Sequence, residues 1–206
     1  MPFSSELESY KEETRAAYDK LALKKKEQYE KDLDTFVRFN IQFFLRELHG
    51  KCIVDLGSGP GVHAGYFRDK GYDVVCVDYS EGMLTYCKEK GFKTHLIDME
   101  KFSMPDSTVD GVWAYASILH LRKVRIPIIL EKIHRMLKPN GVVGLGLFGG
   151  QGEGWKVDSP DVKRWFSLFT DEEVRRAVSP FFDVIHFKES SFPGHEKFLF
   201  YVLRKR

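Results

Sequence analysis

The sequence predicts an α/β protein built on a mostly parallel sheet, and three observations lead to this prediction. From Lys51 onward, short apolar segments alternate with segments of helical composition, a pattern typical of strand–helix–strand units whose sheet is buried on both faces. The first apolar segment runs into a glycine-rich turn. Length and composition fit one globular domain, with 206 residues that are 43% hydrophobic and 30% charged.

The N-terminal region, residues 1–50, is expected to form a helical cap before the sheet. Residues 4–48 contain no Gly and no Pro and are rich in residues that favour helix. An amphipathic surface helix is predicted around Tyr29 and Phe36. A second helical pattern follows it and should end at Gly50, because glycine suits a left-handed cap.

Strands and helices are predicted to alternate through the middle of the chain. The predicted strands are, in order, CIVDL, DVVCVD, THLID, TVDGVWAYA and VVGLGLF. Gly71 closes the first helix between them, while Ser80 opens the second as N-cap and Gly91 closes it. A further helix is predicted through IPIILEKIHRML, and residues 138–141, LysProAsnGly, read as a turn.

The tail after the fifth strand has a different pattern. Thr170 and Glu173 form a capping box that starts a helix, and two strands joined by a turn at residues 192–194 should follow. Residues 149–155, GGQGEGW, could form either a flexible rim of a site or a long connection. Residues 51–206 are therefore expected to form a single α/β domain.

The glycine turn narrows the choice of ligand. It contains Gly57, Gly59 and Gly61, followed by Val62 and His63. A loop for a nucleoside triphosphate would need Lys and then Ser or Thr after its last glycine. A dinucleotide loop would need a third glycine where Val62 stands, so that the helix can approach the pyrophosphate. Both departures disfavour a ligand held through its phosphates.

Three acidic residues end the first three predicted strands: Asp55, Asp78 and Asp98. Ligands bind at the carboxyl edge of open α/β sheets, so these side chains should surround the ligand. Asp78 could accept hydrogen bonds from both ribose hydroxyls, Asp98 could accept from an adenine amino group, and Tyr79 and Met83 could sandwich the ring. Three carboxylates suit a sulfonium that carries an ammonium group better than they suit a pyrophosphate.

The segments VDLGSGPG, VCVDYS, LIDME and VDGVWAYASILHL, in this order and spacing, resemble the class I S-adenosylmethionine-dependent methyltransferases. The resemblance runs from about Cys52 to Phe148 and implies a Rossmann-like, seven-stranded sheet with one antiparallel strand, helices on both faces, and S-adenosylmethionine as cofactor. The cofactor site expected from these residues and from the resemblance comprises Tyr18, Asp55, Gly57, Ser58, Gly59, Gly61, Asp78, Tyr79, Met83, Asp98, Met99, Ala114 and Tyr115.

The resemblance also implies which part of the cofactor each residue meets. Asp55 would lie near the ammonium group, Asp78 on the ribose, and Asp98 with Met99 at the adenine. Tyr18 belongs to a segment that is similar to the helix preceding the core in small-molecule members, where it would close over the cofactor.

Two residues are candidates for the chemistry. His120 falls where this fold faces its substrate and could be a general base near neutral pH; the alternative is a structural histidine at a helix start. Tyr18 is the second candidate catalytic residue. His63 and His134 are expected to be structural. Aromatic residues after the fifth strand could line an acceptor pocket or belong to the core: Phe148, Trp155, Trp165, Phe166 and Phe169.

The leading hypothesis is methyl transfer to a small-molecule O, N or S acceptor by in-line displacement. The sequence AYAS after the fourth strand lacks the prolines that amino-methylating nucleic-acid enzymes of this fold carry there. Lys and Arg total 32 against 30 Asp and Glu, so no global field attracts nucleic acid. The open alternatives are a non-catalytic cofactor-binding partner subunit, an NAD-dependent oxidoreductase with a variant loop, and an RNA or protein methyltransferase that uses residues 24–26 and 204–206.

The sequence also bears on the cellular environment. The N-terminus has no signal-peptide pattern, and no apolar run approaches the roughly 18 residues that cross a bilayer. Cys52, Cys76 and Cys87 have no CxxC spacing, which argues against disulfides and a zinc site. A cytoplasmic protein without a metal is therefore expected, and the oligomeric state stays open.

Overall fold

The computed structural model of the chain describes residues 3–33, 37–192 and 195–206. Phe36, named above in the first amphipathic helix, and residues 193 and 194 of the predicted tail turn lie outside the described residues. The helices are α1 Phe3–Asp32, α2 Arg38–Glu47, α3 Val62–Asp69, α4 Glu81–Glu89, α5 Ile126–Met136 and α6 Asp171–Val178. The strands are β1 Cys52–Leu56, β2 Asp73–Asp78, β3 Lys93–Leu96, β4 Val109–Tyr115, β5 Leu137–Phe148, β6 Glu153–Ser159, β7 Val162–Ser167, β8 Phe182–Phe192 and β9 His195–Lys205.

Seven strands form one sheet in the order β3-β2-β1-β4-β5-β9-β8. The pairs from β3 to β5 are parallel, whereas β9 runs antiparallel to both of its neighbours. This arrangement confirms the predicted mostly parallel sheet with one antiparallel strand. The reversal arises because β8 and β9 follow one another closely in the chain, and a short connection can join only antiparallel strands.

Local capping signals marked the starts of two helices. The Ser80 hydroxyl accepts from the Met83 backbone N–H at 3.1 Å, which starts α4. Thr170 and Glu173 make the reciprocal hydrogen bonds of a capping box at the start of α6. Such signals can be read from sequence because the capping side chain and the backbone groups that it satisfies are only a few residues apart.

Two predicted boundaries are wrong. The third strand ends at Leu96, so Asp98 lies two residues beyond it, in a turn where its Oδ1 accepts from the Glu100 N–H at 2.9 Å. Residues 138–141 belong to β5 rather than to a turn between elements. They form a bulge inside the strand, because the pairing with β4 shifts register there and Asn140 adopts a φ of 63°.

The strands β6 and β7 form a two-stranded antiparallel sheet that was not predicted. This hairpin begins inside the stretch that was read as a rim or a connection. Most of the β6 residues are exposed on both faces, so they lack the alternation of apolar and polar residues that reveals a half-buried strand. The hairpin packs on α1 and thereby takes part in the site.

Candidate active site

A cavity lies at the carboxyl ends of β1, β2 and β4, with α1 across it and a 3-10 turn, Ile118–His120, in its wall. Its empty volume, counted with the open mouth, is about 1110 Å³, which is ample for a cofactor-sized ligand. The predicted site residues that line it are Tyr18, Gly57, Ser58, Gly59, Asp78, Tyr79, Met83, Asp98, Met99, Tyr115 and His120. Three others, Asp55, Gly61 and Ala114, lie behind the wall rather than in it.

The glycine turn has a conformation and a position that require glycine. Gly57 and Gly59 have φ values of 76° and 53°, in the left-handed region that side chains rarely adopt. A Cβ on Gly57 would lie 2.3 Å from the Ser117 Cβ, and one on Gly59 would lie 3.3 Å from the Tyr29 ring. The N–H groups of Gly57 and Ser58 both donate to the Val77 carbonyl, at 2.7 and 3.0 Å. The turn is thus held against β2.

Asp78 fixes the turn from the end of β2. Its Oδ2 accepts from the Gly59 N–H and its Oδ1 from the Ser80 N–H, each at 2.8 Å. Burial raises the pKa of Asp78, although these backbone donors oppose that shift. Each carboxylate oxygen can accept more than one hydrogen bond, so Asp78 can still accept from two hydroxyl groups in the cavity.

Asp55 is 2% exposed, and its Oδ2 has no hydrogen-bond partner among the described residues. Burial raises its pKa well above the usual range, and the nearby Cys87 and Asp78 add to the effect. An unsatisfied buried carboxyl group beneath the turn fits a cationic ligand above it, since a positive charge favours the ionised form. Gly61 caps α3, and Ala114 is fully buried in β4.

At the end of the cavity beside β3, the helix α1 supplies the partners. Asp98 accepts from the Lys11 ammonium at 2.8 Å, and Lys11 also pairs with Glu100. The Tyr79 hydroxyl donates to Glu12. Asp98 and Tyr79 were predicted to lie at the adenine, whereas no role was predicted for α1 at this end. No local pattern links Lys11 to Asp98, because 87 residues separate them.

Tyr18 and His120 meet at the other side of the cavity. The Tyr18 hydroxyl lies 2.7 Å from His120 Nε2, and His120 Nδ1 lies 2.6 Å from the Trp165 carbonyl oxygen. Because a carbonyl only accepts, Nδ1 carries the proton and Nε2 accepts from Tyr18. Burial lowers the pKa of His120 to about 3, so the ring is neutral at pH 7 and its lone pair is occupied. His120 is therefore not a free base in this arrangement.

Arg164 of β7 completes this group of residues. Its Nη1 donates to the Tyr18 hydroxyl at 3.0 Å, and its Nε and Nη2 bind both oxygens of Asp158 at 2.7 and 2.8 Å. The residue is 5% exposed. Sequence reasoning could not find Arg164, because it lies 146 residues after Tyr18 and in a hairpin without a periodic signal.

Two further wall residues were not predicted to be in the site. His63 Nδ1 accepts from the Trp113 indole N–H at 3.1 Å, which leaves an N–H on Nε2. Burial lowers the pKa of His63 to about 4. The ring was expected to be structural, yet it lines the cavity, as does Tyr29. His134 lies elsewhere, against the ring of Phe181.

The aromatic residues after the fifth predicted strand do not line this cavity. Phe148, Phe166 and Phe169 are buried in the core. Trp165 packs on Tyr10 of α1, with ring centroids 5.4 Å apart. Their suggested role in an acceptor pocket is therefore not supported for this cavity. Over the described parts of the chain, no group of three or more acidic, His or Cys residues could hold a metal ion, and no helix is long and apolar enough to cross a membrane.

The sheet order, the glycine turn and the cavity at the carboxyl edge define the class I S-adenosylmethionine-dependent methyltransferase fold. More particularly, residues 54–145 match the family model of a methyltransferase domain. This match and the fold together support a class I methyltransferase domain, a class whose cofactor is S-adenosylmethionine.

The relatives and solved structures agree with this assignment. A malonyl-[acyl-carrier protein] O-methyltransferase of Enterobacter lignolyticus is 28% identical over 93 residues, which is 44% of this chain and 36% of that protein. A demethylmenaquinone methyltransferase of Paenarthrobacter aurescens is 27% identical over 131 residues, 61% of this chain and 46% of that one. This chain thus spans less than half the length of these two curated relatives.

Among solved structures, the Burkholderia thailandensis 1,6-didemethyltoxoflavin-N1-methyltransferase, with bound 1,6-didemethyltoxoflavin and S-adenosylhomocysteine, is similar with a TM-score of 0.79. The match covers 97% of this chain and 90% of that one at 17% sequence identity. At this level of sequence identity, the similarity shows that the two proteins share a fold.

Proposed function

We propose that this protein transfers the methyl group of S-adenosylmethionine to a small-molecule O, N or S acceptor by in-line displacement. The observation that carries the proposal is that most of the residues expected around the cofactor line one cavity together with the Tyr18–His120 pair, and that α1 crosses this cavity. Such a reaction mainly requires that the nucleophile is held about 3–3.5 Å from the methyl carbon and that water is excluded.

The described residues fit the cofactor. The left-handed glycine turn offers a backbone surface without side chains, the carboxylate of Asp78 suits a ribose diol, and the orphaned Asp55 suits a nearby positive charge. Bound S-adenosylmethionine would supply an electrophilic methyl group. The protein's own residues would then orient the acceptor and keep solvent out, with α1 as the covering element.

Several observations favour a small acceptor over RNA. Lys25 donates to Gln28, and burial lowers its pKa to about 8. Lys26 pairs with Glu30 at 3.1 Å. Two of the three lysines at residues 24–26 are therefore engaged within α1 itself, whereas a phosphate-binding surface needs cations free to contact the backbone of the nucleic acid. The names of the two curated relatives also point to small or carrier-bound acceptors.

The test is a calorimetric titration with S-adenosylhomocysteine. We expect micromolar binding by the wild type and a loss of about 1–3 kcal/mol in Asp78→Ala, because a ribose hydroxyl would lose its partner. Asp106→Ala removes an exposed carboxylate that pairs with Arg135 and serves as the control. If the wild-type protein does not bind, the proposal fails.

A second measurement addresses the acceptor. Transfer of an isotope-labelled methyl group from S-adenosylmethionine into cell extract would be followed separately in the small-molecule, RNA and protein fractions. We expect the label in the small-molecule fraction. Label in RNA or protein would favour a macromolecular substrate, and cofactor binding without any transfer would favour a non-catalytic subunit.

A further inference from the structure

We propose that His63 and Tyr115 bind a carbonyl oxygen of the acceptor through two hydrogen-bond donors that are unused among the described residues. It follows that the acceptor carries an uncharged carbonyl group in addition to the atom that is methylated. This inference rests on the proposed methyl transfer and narrows its class of substrate.

The position of the proton on His63 follows from the residue at its other side. The Trp113 indole N–H, which can only donate, lies 3.1 Å from His63 Nδ1. Nδ1 must therefore accept, because a proton there would place two donors opposite each other. The lowered pKa of about 4 likewise keeps the ring neutral at pH 7, so its one proton is on Nε2. Within the described parts of the chain, this N–H has no hydrogen-bond partner.

The hydroxyl group of Tyr115 is the second donor. It accepts from Nδ2 of Asn40 at 3.1 Å, and this bond does not use its own hydrogen. That hydrogen does not return to the amide, because Oδ1 of Asn40 has no partner among the residues that the structure describes. The His63 ring stands edge-on to the Tyr115 ring, with centroids 5.5 Å apart. The two donors therefore belong to the same part of the cavity wall.

The course of α1 shows which part of the cavity this is. Lys11 pairs with Asp98 at the end where the adenine is expected. The Tyr29 ring lies over the glycine turn, 3.3 Å from where a Cβ on Gly59 would be. At 1.5 Å per residue, Lys11 and Tyr29 are about 27 Å apart along the helix. Asp32 lies nearly one turn further on and still lines the cavity, so the cavity continues past the turn that should hold the cofactor.

The part of the cavity beyond the glycine turn, here called the far compartment, suits an uncharged ligand. It is lined by Tyr29, Asp32, Val37, His63 and Tyr115. These five residues include no Lys or Arg, and Asp32 is acidic. A carboxylate would lose its hydration there without meeting a cation, whereas a carbonyl oxygen needs only hydrogen-bond donors. The same reasoning places the carboxylate of the cofactor elsewhere.

The two donors select the acceptor because they lie in the wall of a covered cavity. A ligand without an oxygen at this place would displace water from the His63 N–H and the Tyr115 hydroxyl without replacing its hydrogen bonds. Leaving such donors unpaired costs more than a hydrogen bond between neutral groups gains. A site that is built to hydrogen-bond a group therefore rejects the analogue that lacks it.

The first test measures the state of His63 and requires no acceptor. Ring-nitrogen NMR shifts in isotopically labelled protein should show a neutral His63 ring at pH 7, with the proton on Nε2. A proton on Nδ1, or a charged ring, would remove the donor and overturn the inference.

The second test compares two matched probes by NMR, each titrated at saturating S-adenosylhomocysteine. They are ortho-hydroxyacetophenone and ortho-ethylphenol, which share a ring and a hydroxyl group but carry a carbonyl and a methylene group, respectively. We expect the carbonyl probe to shift the His63 Nε2–H signal and to bind about 10-fold more tightly, as hydrogen bonds between neutral groups allow. Salicylate, which carries a carboxylate instead, should bind no better than the ethyl probe. The inference is wrong if both probes leave the signal in the same place, or if salicylate binds best.

Variants of the two donors test their roles. His63→Leu should abolish the preference for the carbonyl probe, and Tyr115→Phe should reduce it. His63→Gln retains an N–H donor and should restore part of the preference. Tyr86→Phe, at a half-buried tyrosine of α4 outside the cavity wall, is the control and should keep it fully. A preference that survives in His63→Leu would contradict the assignment, and the titrations of the wild type do not depend on the folding of any variant.

Calorimetry separates this inference from cofactor binding. S-adenosylhomocysteine and methylthioadenosine, which lacks the amino-acid part, should each bind to His63→Leu as they bind to the wild type. A loss for S-adenosylhomocysteine alone would show that His63 holds the carboxylate of the cofactor, and would overturn the inference. Absent binding of S-adenosylhomocysteine by the wild type would instead remove the proposed function itself.

Discussion

Burial disfavours the charged form of several polar residues of the site. The pKa values of His120 and His63 are lowered to about 3 and about 4, because partial burial disfavours the charged ring. Asp55 and Asp78 are shifted upward for the same reason. A cavity wall of this kind suits a ligand that brings its own positive charge, since each buried carboxyl group can then ionise against it.

Because the pKa of His120 is lowered, we expect the stability of the folded protein to depend on pH. Between the ordinary value of 6.5 and about 3, His120 binds a proton in the unfolded chain but not in the folded one, so the free energy of unfolding falls as the pH falls. At about 1.4 kcal/mol per pH unit, the wild type should lose about 2 kcal/mol relative to His120→Asn between pH 6.5 and pH 5. Urea denaturation of both proteins at several pH values measures this difference.

The wild type has to be compared with His120→Asn, because Asp55 and Asp78 also make the free energy of unfolding depend on pH. Their pKa values are raised, so their effect is opposite to that of His120. Those two groups take up a proton in the folded state and stabilise it as the pH falls. They are present in both proteins and cancel in the difference. A difference that does not change with pH would show that His120 is accessible to protons in the folded protein.

Some site residues could be predicted from the sequence because their roles are local. Gly57, Gly59 and Asp78 lie at a turn and at a strand end that the sequence itself marks. Lys11 and Arg164 could not be predicted, because each reaches the site across a long stretch of chain and neither belongs to a motif. The sequence likewise gave no sign that Asp55 lies behind the wall, which depends on how the turn sits above β1.

At the scale of elements, α1 determines whether the cavity is closed. Asp19 accepts from the Ser80 hydroxyl at 2.6 Å and from the Gly82 N–H at 3.0 Å, which ties α1 to the start of α4. The Thr14 hydroxyl accepts from the Trp165 N–H at 3.0 Å, which ties α1 to the hairpin. The helix is therefore joined to the domain through polar contacts at both sides of the cavity.

Two glycines provide a matched test of this closure. A Cβ on Gly82 would lie 3.2 Å from backbone atoms of Asp19 and 3.3 Å from the Ala22 Cβ, whereas one on Gly65 of α3 would meet nothing within 4 Å. Alanine in a helix is favoured over glycine by about 1 kcal/mol. Gly65→Ala should therefore raise the free energy of unfolding by about 0.5–1 kcal/mol.

Gly82→Ala should lack that gain, because the added methyl group pushes α1 away from α4. We expect faster amide exchange along residues 9–32 and weaker binding of S-adenosylhomocysteine than in Gly65→Ala. Unchanged exchange in both variants would mean that α1 tolerates the methyl group without moving.

Whether an element could be predicted depended on how it is buried. The strands β1, β2 and β4 are apolar along most of their length, and their predicted positions agree with the structure to within two residues. The hairpin was missed because β6 is mostly exposed and shows no alternation of buried and exposed residues. The bulge at residues 138–141 has the composition of a turn, so that only its pairing with β4 reveals that the strand continues.

At the scale of the whole molecule, the cofactor should stabilise the folded protein by mass action. S-adenosylhomocysteine at 100 times its Kd adds about 2.7 kcal/mol to the free energy of unfolding. For a domain of this size that corresponds to an increase in Tm of about 5–10 °C. Thermal denaturation with and without the ligand measures it, and Asp78→Ala at the same ligand concentration should show a much smaller increase. An equal increase in both proteins would mean that the ligand binds without Asp78.

The whole architecture was easier to predict than the site. Alternation of strands and helices predicted the mostly parallel sheet, and the resemblance to class I methyltransferases implied the seven strands and the reversed one, both of which the structure contains. The cavity depends in addition on contacts between α1, the turn after β4 and the hairpin. Such contacts are set by packing between distant segments, for which a single sequence contains no periodic signal.

The way in which α1 closes the cavity has a consequence for the order of events during synthesis. Asp19 is made 61 residues before Ser80, and Tyr18 is made 146 residues before Arg164. A ribosome adds about 5–20 residues per second, so α1 waits roughly 7–30 s for the hairpin. Until then Tyr10 of α1 lacks Trp165, the hairpin side chain that it packs against. The catalytic cavity is therefore among the last parts of the molecule to be completed as the chain is translated.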